Sequence, residues 1–592
     1  MKTCNSKQLQ RVLGQATCCL LISLLGILVY ANHLSNTFQF DSVAYIASNA
    51  NLKNPETMLT FEFWKKEFLA RGLLRMSFAL NASLDGFRPF GYHIFNLTFH
   101  ILNTLLLFFV LEKSFRRFDL KAIGWCNKRI RTVAFFSAAI FLCHPIQTES
   151  VIYIMSRSEV IASTFYLAGF FLFQNLLERP STSRSQYGLY FLIIFLIALV
   201  GFSVKQIVAT LPAIMILYYF SSCSTHSPAL LALKKWKWPV CGVFFGVVSL
   251  LIYKLLADET FLIGPSRPEE MVGRVKYMLS QPSVMIFYYL NKLLFPLNLS
   301  IDPDIEVITS FLSWKFLIPI ICIAFFLAYS LKFFKNRFIF FYLCWFFIIL
   351  SPSSSIVTLH DLAAEHRVYL ASAGIITLFA CGASELIYRF EKAKPLRISA
   401  ILILFVVVGV LGIVTMKRNA VWQTELSLWQ DAYNKSPHKL RPLINLARAH
   451  SIEGDIEKAI KFYQKSLIEG PVVFATHYNL ADLYLNKGLV PDAIRHFQLA
   501  SRIEPKIPET YAKLGEIYLS QKKFKLADTY FKRAVELHPN YSRVFKNLGI
   551  INFYHLNNHK QGLTYFFRSL TLNPDQPEAD KIRDLLAQYP IH

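Results

Sequence analysis

Residues 471–539 read PVVFATHYNLADLYLNKGLVPDAIRHFQLASRIEPKIPETYAKLGEIYLSQKKFKLADTYFKRAVELHP. Pro471, Pro505 and Pro539 stand 34 residues apart in it, and Pro437 and Pro574 continue the series at spacings of 34 and 35. Between prolines, small and aromatic residues recur at fixed offsets: Ala481, Ala493, Phe497 and Ala500 in one interval, Gly515, Ala527, Phe531 and Ala534 in the next. Small residues let two paired helices approach, aromatics fill the space between pairs, and proline ends the second helix. The stretch therefore predicts stacked helical hairpins.

A period of 34 with this pattern is that of tetratricopeptide (TPR) repeats. About four repeats are expected over residues 419–592, with a leading half-repeat at 425–437 around Trp429 and Ala432 and a capping helix near 585–589. The extra residue of the last repeat falls near 556–559, at the turn between its helices, where insertion costs little. Such arrays bind polypeptide and by themselves name no partner.

Upstream the composition changes. Of the 592 residues 54% are hydrophobic and 15% aromatic, which excludes a disordered or ordinary soluble chain. Apolar stretches able to cross a bilayer lie near 13–32, 93–112, 132–148, 157–177, 187–203, 205–222, 238–256, 313–332, 337–352, 368–389 and 397–416, about eleven in all. The first follows a basic tip and also has the look of a signal peptide, but the many later spans favour a retained helix. The net charge of +24 concentrates in short loops such as 113–131, as the positive-inside rule requires; with no reader fold attached, no nucleic-acid partner is expected. The ten cysteines all lie at or before Cys381 without a CxxC pair, so no disulfide framework or zinc site is expected.

Placing the basic loops inside puts the loop 33–92 and the repeats on the outer face. Residues 272–297 are apolar, yet the acidic loop after them reads as outer, like the loop before, so a re-entrant or interfacial helix is expected there. The fold class is thus all-α: a polytopic membrane domain over 1–418, followed by an α-solenoid over 419–592.

Ionisable residues at membrane depth are costly and mark function. This topology gathers Asp41, Arg71, His93, His144, Glu149, Arg157, Glu159, Lys205, Asp361, Glu365, His366 and Arg367 on the outer side. One carboxylate beside several cations is what glycosyl transfer from a lipid phosphate requires: a base for the acceptor hydroxyl and positive charge for the departing phosphate. The same charges also suit pairing and snorkelling at the interface. His93 and His100, seven apart on an apolar face, read as core residues.

The blocks QFDSVAYIASNANL (39–52), EFW (62–64), FGYHIFNLTFHILN (90–103), HPIQTESVIYIMSRSE (144–159) and EHRVYLAS (365–372), followed by TPRs, resemble the transmembrane-and-TPR O-mannosyltransferases (TMTC family) and their bacterial relatives. The likeness runs through nearly the whole chain in the same order. It implies a GT-C-like membrane domain and an inverting enzyme that takes a sugar, mannose by analogy, from a polyprenyl-phosphate donor to a protein Ser/Thr hydroxyl at the outer face. It implies Asp41 as general base, with Arg71 and Arg367 holding the donor phosphate. Lys205 is either a further phosphate contact or a snorkelling lysine. His144, Glu149, Arg157, Glu365 and His366 would support the site. No metal is expected from ligand spacing, although some GT-C enzymes resemble metal users. The partners implied are the membrane lipid-linked sugar and a protein acceptor or assembly partner in the TPR groove. The setting implied is a bacterial inner membrane with the repeats in the periplasm, or the ER with the repeats in the lumen.

The chain departs from the family pattern at Ser42 and Gln206, each standing where the family has a second carboxylate, and at Gly72 and Gln147. Two other readings therefore remain: an envelope glycan- or lipid-modifying transferase, and a catalytically inactive TPR scaffold.

Overall fold

In a computed structural model of the chain, residues 2–47, 52, 56, 60–68, 71–118, 120, 125–178, 184–222, 272–332, 337–354, 357–389 and 394–589 are described. Among them there is no strand. The chain divides into two compact units, Met1–Lys435 and Ser436–His592.

The first unit is a body of apolar helices. Ten of the eleven expected spans coincide with helices: Lys2–Tyr30, Pro89–Arg117, Asn127–Cys143, Arg157–Leu177, Arg184–Val204, Leu211–Ser222, Trp314–Lys332, Arg337–Leu350, Ser372–Arg389 and Lys394–Val421. The span expected over 238–256 lies outside the described residues. Among the described residues five helices are long and apolar enough to cross a bilayer, and a sixth span forms if Asn127–Cys143 and Pro145–Ile152, bent by 52°, count as one. Gln206–Ser222, Trp314–Tyr329 and Arg337–Leu350 are shorter apolar helices. The chain is a multi-pass membrane protein.

Two breaks in these helices have identifiable causes. Pro145 has no N–H to continue the helix that ends at Cys143, and His144 is extended there. Its Nδ1 accepts the Ile146 N–H at 3.2 Å, so the bend leaves that donor satisfied. At Lys205 the backbone is again extended (φ −155°), ending Arg184–Val204 before a short 3-10 turn. Elsewhere close approach does the packing: a Cβ on Gly374 would lie 2.5 Å from the Tyr342 carbonyl, so only glycine lets those helices meet. The segment expected to be re-entrant is helical from Arg274 to Leu294, with Pro282 and a π-helical stretch, Val284–Leu290, interrupting its regular ladder.

The second unit is the solenoid. Its hairpins are Leu440–Ile452 with Ile456–Glu469, Phe474–Asn486 with Val490–Ile503, Pro508–Ser520 with Phe524–Leu537, and Ser542–Tyr554 with His559–Leu572, followed by Ala579–Gln588. Each hairpin turns through one left-handed residue: Gly454, Gly488, Lys522 and Asn557. Their spacings of 34, 34 and 35 put the extra residue of the last repeat between its two helices. The repeating alanines and phenylalanines are buried, and a Cβ on Gly515 or Gly549 would meet the ring of Phe531 or Phe566 at 2.6 or 2.7 Å. The small residues of the period are thus the seats of the aromatics. Helix Glu425–Lys435, which reads as a half-repeat, falls within the first unit.

Candidate active site

The loop after the first helix is fastened to the end of the last membrane helix by amides. Asn419 Nδ2 donates to Val29 O and Asn32 Oδ1, both at 2.9 Å, and Asn32 Nδ2 donates to Met416 O at 2.8 Å. Further along, Asn36 Nδ2 donates to Asn419 O at 3.3 Å and Gln39 Nε2 to Trp422 O. Within bilayer depth such groups need internal partners, which fixes the register of this loop. Asp41 follows, exposed to solvent, with Ser42 buried beside it. The Asp41 carboxylate lies near the buried Tyr153 hydroxyl, and Tyr153 also feels Glu149. The Tyr153 ring stacks on Trp422 at 5.7 Å.

The two polar blocks of the body meet through Glu149, which is buried. Its Oε1 pairs with His366 Nδ1 at 2.6 Å, and its Oε2 accepts the His366 N–H at 3.2 Å. His144 is a buried strut. Its Nε2 donates to Leu293 O at 3.1 Å while its Nδ1 caps the following turn, which defines its tautomer. Glu365 is buried as well, accepting the Ser300 N–H at 2.6 Å and the Tyr288 hydroxyl at 3.4 Å, with Arg418 3.8 Å away. Burial pushes its carboxyl up to about 7 against the pull of Arg418, and the nearby Glu149 charge adds to the rise.

Arg157 is wholly buried. Its guanidinium donates to Asn96 Oδ1 (2.8 Å), Ser77 O (3.0 Å) and Tyr92 O (3.1 Å) and lies over the rings of Phe78 and Phe95. It clamps helix Gly72–Asp85 against Pro89–Arg117 and has no face for a substrate.

The remaining cations converge. Lys205 forms an ion pair with Glu159, a buried carboxylate, and feels the charges of Arg71 and Arg367. Among the described residues the Arg367 guanidinium makes long hydrogen bonds, 3.5 Å to the Tyr277 hydroxyl and to Leu362 O, and it feels Asp361 and Glu149. Arg71 occupies a left-handed position (φ 67°) at the head of helix Gly72–Asp85. Its side chain is exposed, and the surrounding protein lowers its pKa by desolvation, with Glu159 opposing. Three cations thus share one field, Lys205 and Arg71 with Glu159, and Arg367 with Asp361 and Glu149. Convergent cations of this kind suit a phosphate.

The structure therefore groups Arg71, Lys205 and Arg367, and joins Asp41 to that group through Tyr153 and Glu149. It makes His144 and Arg157 framework residues. Tyr153, Glu159 and Arg418 complete the arrangement. Glu159 showed in the sequence as an outer-face charge, whereas a tyrosine in an apolar run and an arginine at a helix end carry no signal of their partners. Among the described residues, no three of His, Cys, Asp and Glu converge as metal ligands would.

The tetratricopeptide repeat family profile matches residues 440–467 and 508–541. The chain is 24% identical over 481 residues to the "Protein O-mannosyl-transferase F38B6.6" of Caenorhabditis elegans, covering 78% of this chain and 64% of that protein. It is 24% identical over 498 residues to the "Protein O-mannosyl-transferase TMTC1" of Homo sapiens, covering 74% and 54%. The chain spans about half to two-thirds of the length of these relatives. A solved structure, "MamA 41-end from Desulfovibrio magneticus RS-1", covers 26% of this chain and 85% of its own at 20% identity, with a TM-score of 0.24. The chain resembles the transmembrane-and-TPR O-mannosyltransferases in both sequence and plan.

Proposed function

We propose that this protein is a membrane glycosyltransferase that moves a sugar, mannose by the naming of its relatives, from a polyprenyl-phosphate donor to a Ser/Thr hydroxyl of a protein. The observation that carries the reading is the cationic cluster: Arg71 and Arg367 around the Lys205–Glu159 pair, with an exposed carboxylate, Asp41, linked to it through Tyr153 and Glu149.

The chemistry follows from that arrangement. Asp41 accepts the proton of the acceptor hydroxyl as its oxygen attacks the anomeric carbon. The bond from that carbon to the phosphate oxygen breaks, and its electron pair leaves with the polyprenyl phosphate. The charge gathering there is met by Arg71, Lys205 and Arg367 in a site partly removed from water, where fixed charge acts most strongly. Attack from the face opposite the leaving phosphate inverts the anomeric centre. The buried carboxylate Glu159 keeps Lys205 in place before the donor arrives. The repeats supply a surface for the acceptor or for an assembly partner.

Membranes containing the chain, supplied with polyprenyl-phosphate mannose and an unfolded Ser/Thr-rich protein, should yield O-mannosylated product. No product above that from membranes without the chain would remove the enzymatic reading and leave a scaffold.

The site and the solenoid both face the outer compartment in this reading, the periplasm or the ER lumen. The repeats contain no native cysteine, so a cysteine introduced at exposed Ile468 or Phe567 reports on them alone once the native ones are blocked or removed. It should react with an impermeant thiol reagent applied from that side. Reaction only after the membrane is opened would put the repeats in the other compartment.

A further inference from the structure

We infer that Glu425 is a positioning residue that aims Asp41; this rests on the transferase reading above. The observation is a backbone outlier beside the candidate base. Phe40 has φ 50°, the left-handed region that residues with side chains avoid. It is the second residue of a tight turn closed by Ser42 N–H to Gln39 O at 3.0 Å, and a positive φ at that turn position is ordinarily reserved for glycine. A bulky residue stays there only if its surroundings overdetermine it.

The surroundings do. The Phe40 N–H donates to Glu425 Oε1, while Glu425 Oε2 accepts Trp429 Nε1–H at 3.1 Å. The Phe40 ring packs edge-on against Trp429 at 5.4 Å and lies 6.1 Å from Tyr153. One carboxylate thus grips the turn and the indole on which the turn's ring rests. Glu425 is itself held by the start of its helix: Thr424 N–H donates to Ser427 Oγ (3.0 Å) and Ser427 N–H donates to Thr424 Oγ1 (3.1 Å), a reciprocal cap. As the first residue of helix Glu425–Lys435 it also sits where a negative charge is favoured.

The turn decides which of two neighbouring side chains faces out. Asp41 is exposed and Ser42 is 1% exposed. Relaxation of Phe40 to a negative φ would swing the following peptide and take the carboxylate away from Tyr153. The same region carries the ion pair of Arg418 with Asp431 (2.8 Å), and Arg418 stands 3.8 Å from Glu365, so both halves of the site lean on residues 418–431.

The test uses the full chain in lipid nanodiscs. In Glu425→Ala, amide exchange of a peptide covering residues 36–46 should be about tenfold faster than in the parent protein. Transfer should fall about ten- to a hundredfold in kcat, with the KM for the lipid donor unchanged, because the cation cluster is untouched. Glu425→Gln retains an oxygen for the Phe40 N–H and should restore both. In an Asp41→Asn background, Glu425→Ala should cost little more, since the two changes act through one group. Unchanged exchange in Glu425→Ala overturns the inference, as does faster exchange with undiminished transfer or a fully additive loss. A parent protein without transfer activity sinks the transferase reading instead, and the exchange arm then still decides whether Glu425 holds the turn.

Discussion

Asp41→Asn is expected to lower sugar transfer by roughly a hundred- to ten-thousandfold, the usual contribution of a general base. Asparagine keeps the size of the side chain and its ability to lie against Tyr153, so the turn and the fold should survive. What it loses is the capacity to take the acceptor's proton. Donor affinity should be unchanged, because Asp41 is linked to the cation cluster through Tyr153 and Glu149. The measurement is the initial rate of mannose transfer from labelled lipid, with donor binding followed separately. A parent-like rate in the variant would remove Asp41 as the base.

Arg71→Ala should lower transfer by about a hundred- to a thousandfold, the loss typical when one donor to a developing negative charge is removed. Unlike Lys205, whose removal would strand the buried carboxylate of Glu159 and cost stability as well, Arg71 makes no ion pair or hydrogen bond through its guanidinium among the described residues. Its replacement uncovers nothing. Thermal stability in detergent should therefore stay level while the KM for the lipid donor rises and kcat falls. Arg71→Lys keeps the charge but loses the planar fork that matches a phosphate, and should fall between the two. A variant with normal transfer and normal donor binding would remove Arg71 from the donor site.

The two variants separate the halves of the proposed reaction. The first removes proton acceptance with the donor seated; the second weakens the seat with the base intact. A scaffold would respond to neither.

Periodicity was readable in the sequence. A spacing of 34 specifies the hairpin because each repeat must bury the same face on the next, and the small positions Gly515 and Gly549 turned out to be where Phe531 and Phe566 sit. Apolar length marked ten helices of the body for an equally local reason: a helix satisfies its own backbone and needs only a greasy surface to enter lipid. The identity of several charged groups was also visible, since ionisable residues are rare in such stretches.

What those groups do was not visible, because it depends on partners far away along the chain. Arg157 and Arg71 look alike as letters in outer segments. One is sealed among Phe78, Phe95 and backbone carbonyls, and the other is exposed; only the packing of three separate helices decides which. His144 and Glu149 lie five residues apart, yet one props Leu293 and the other holds His366. Glu425 sits 385 residues from the peptide it grips. By itself the chain's pattern determined a helical membrane body with a repeat array behind it, since burial of apolar faces is a property of each segment. The placement of charge around Glu159 and the direction of Asp41 came only with the tertiary structure, since an ion's energy depends on which other charges the fold brings within a few ångströms of it.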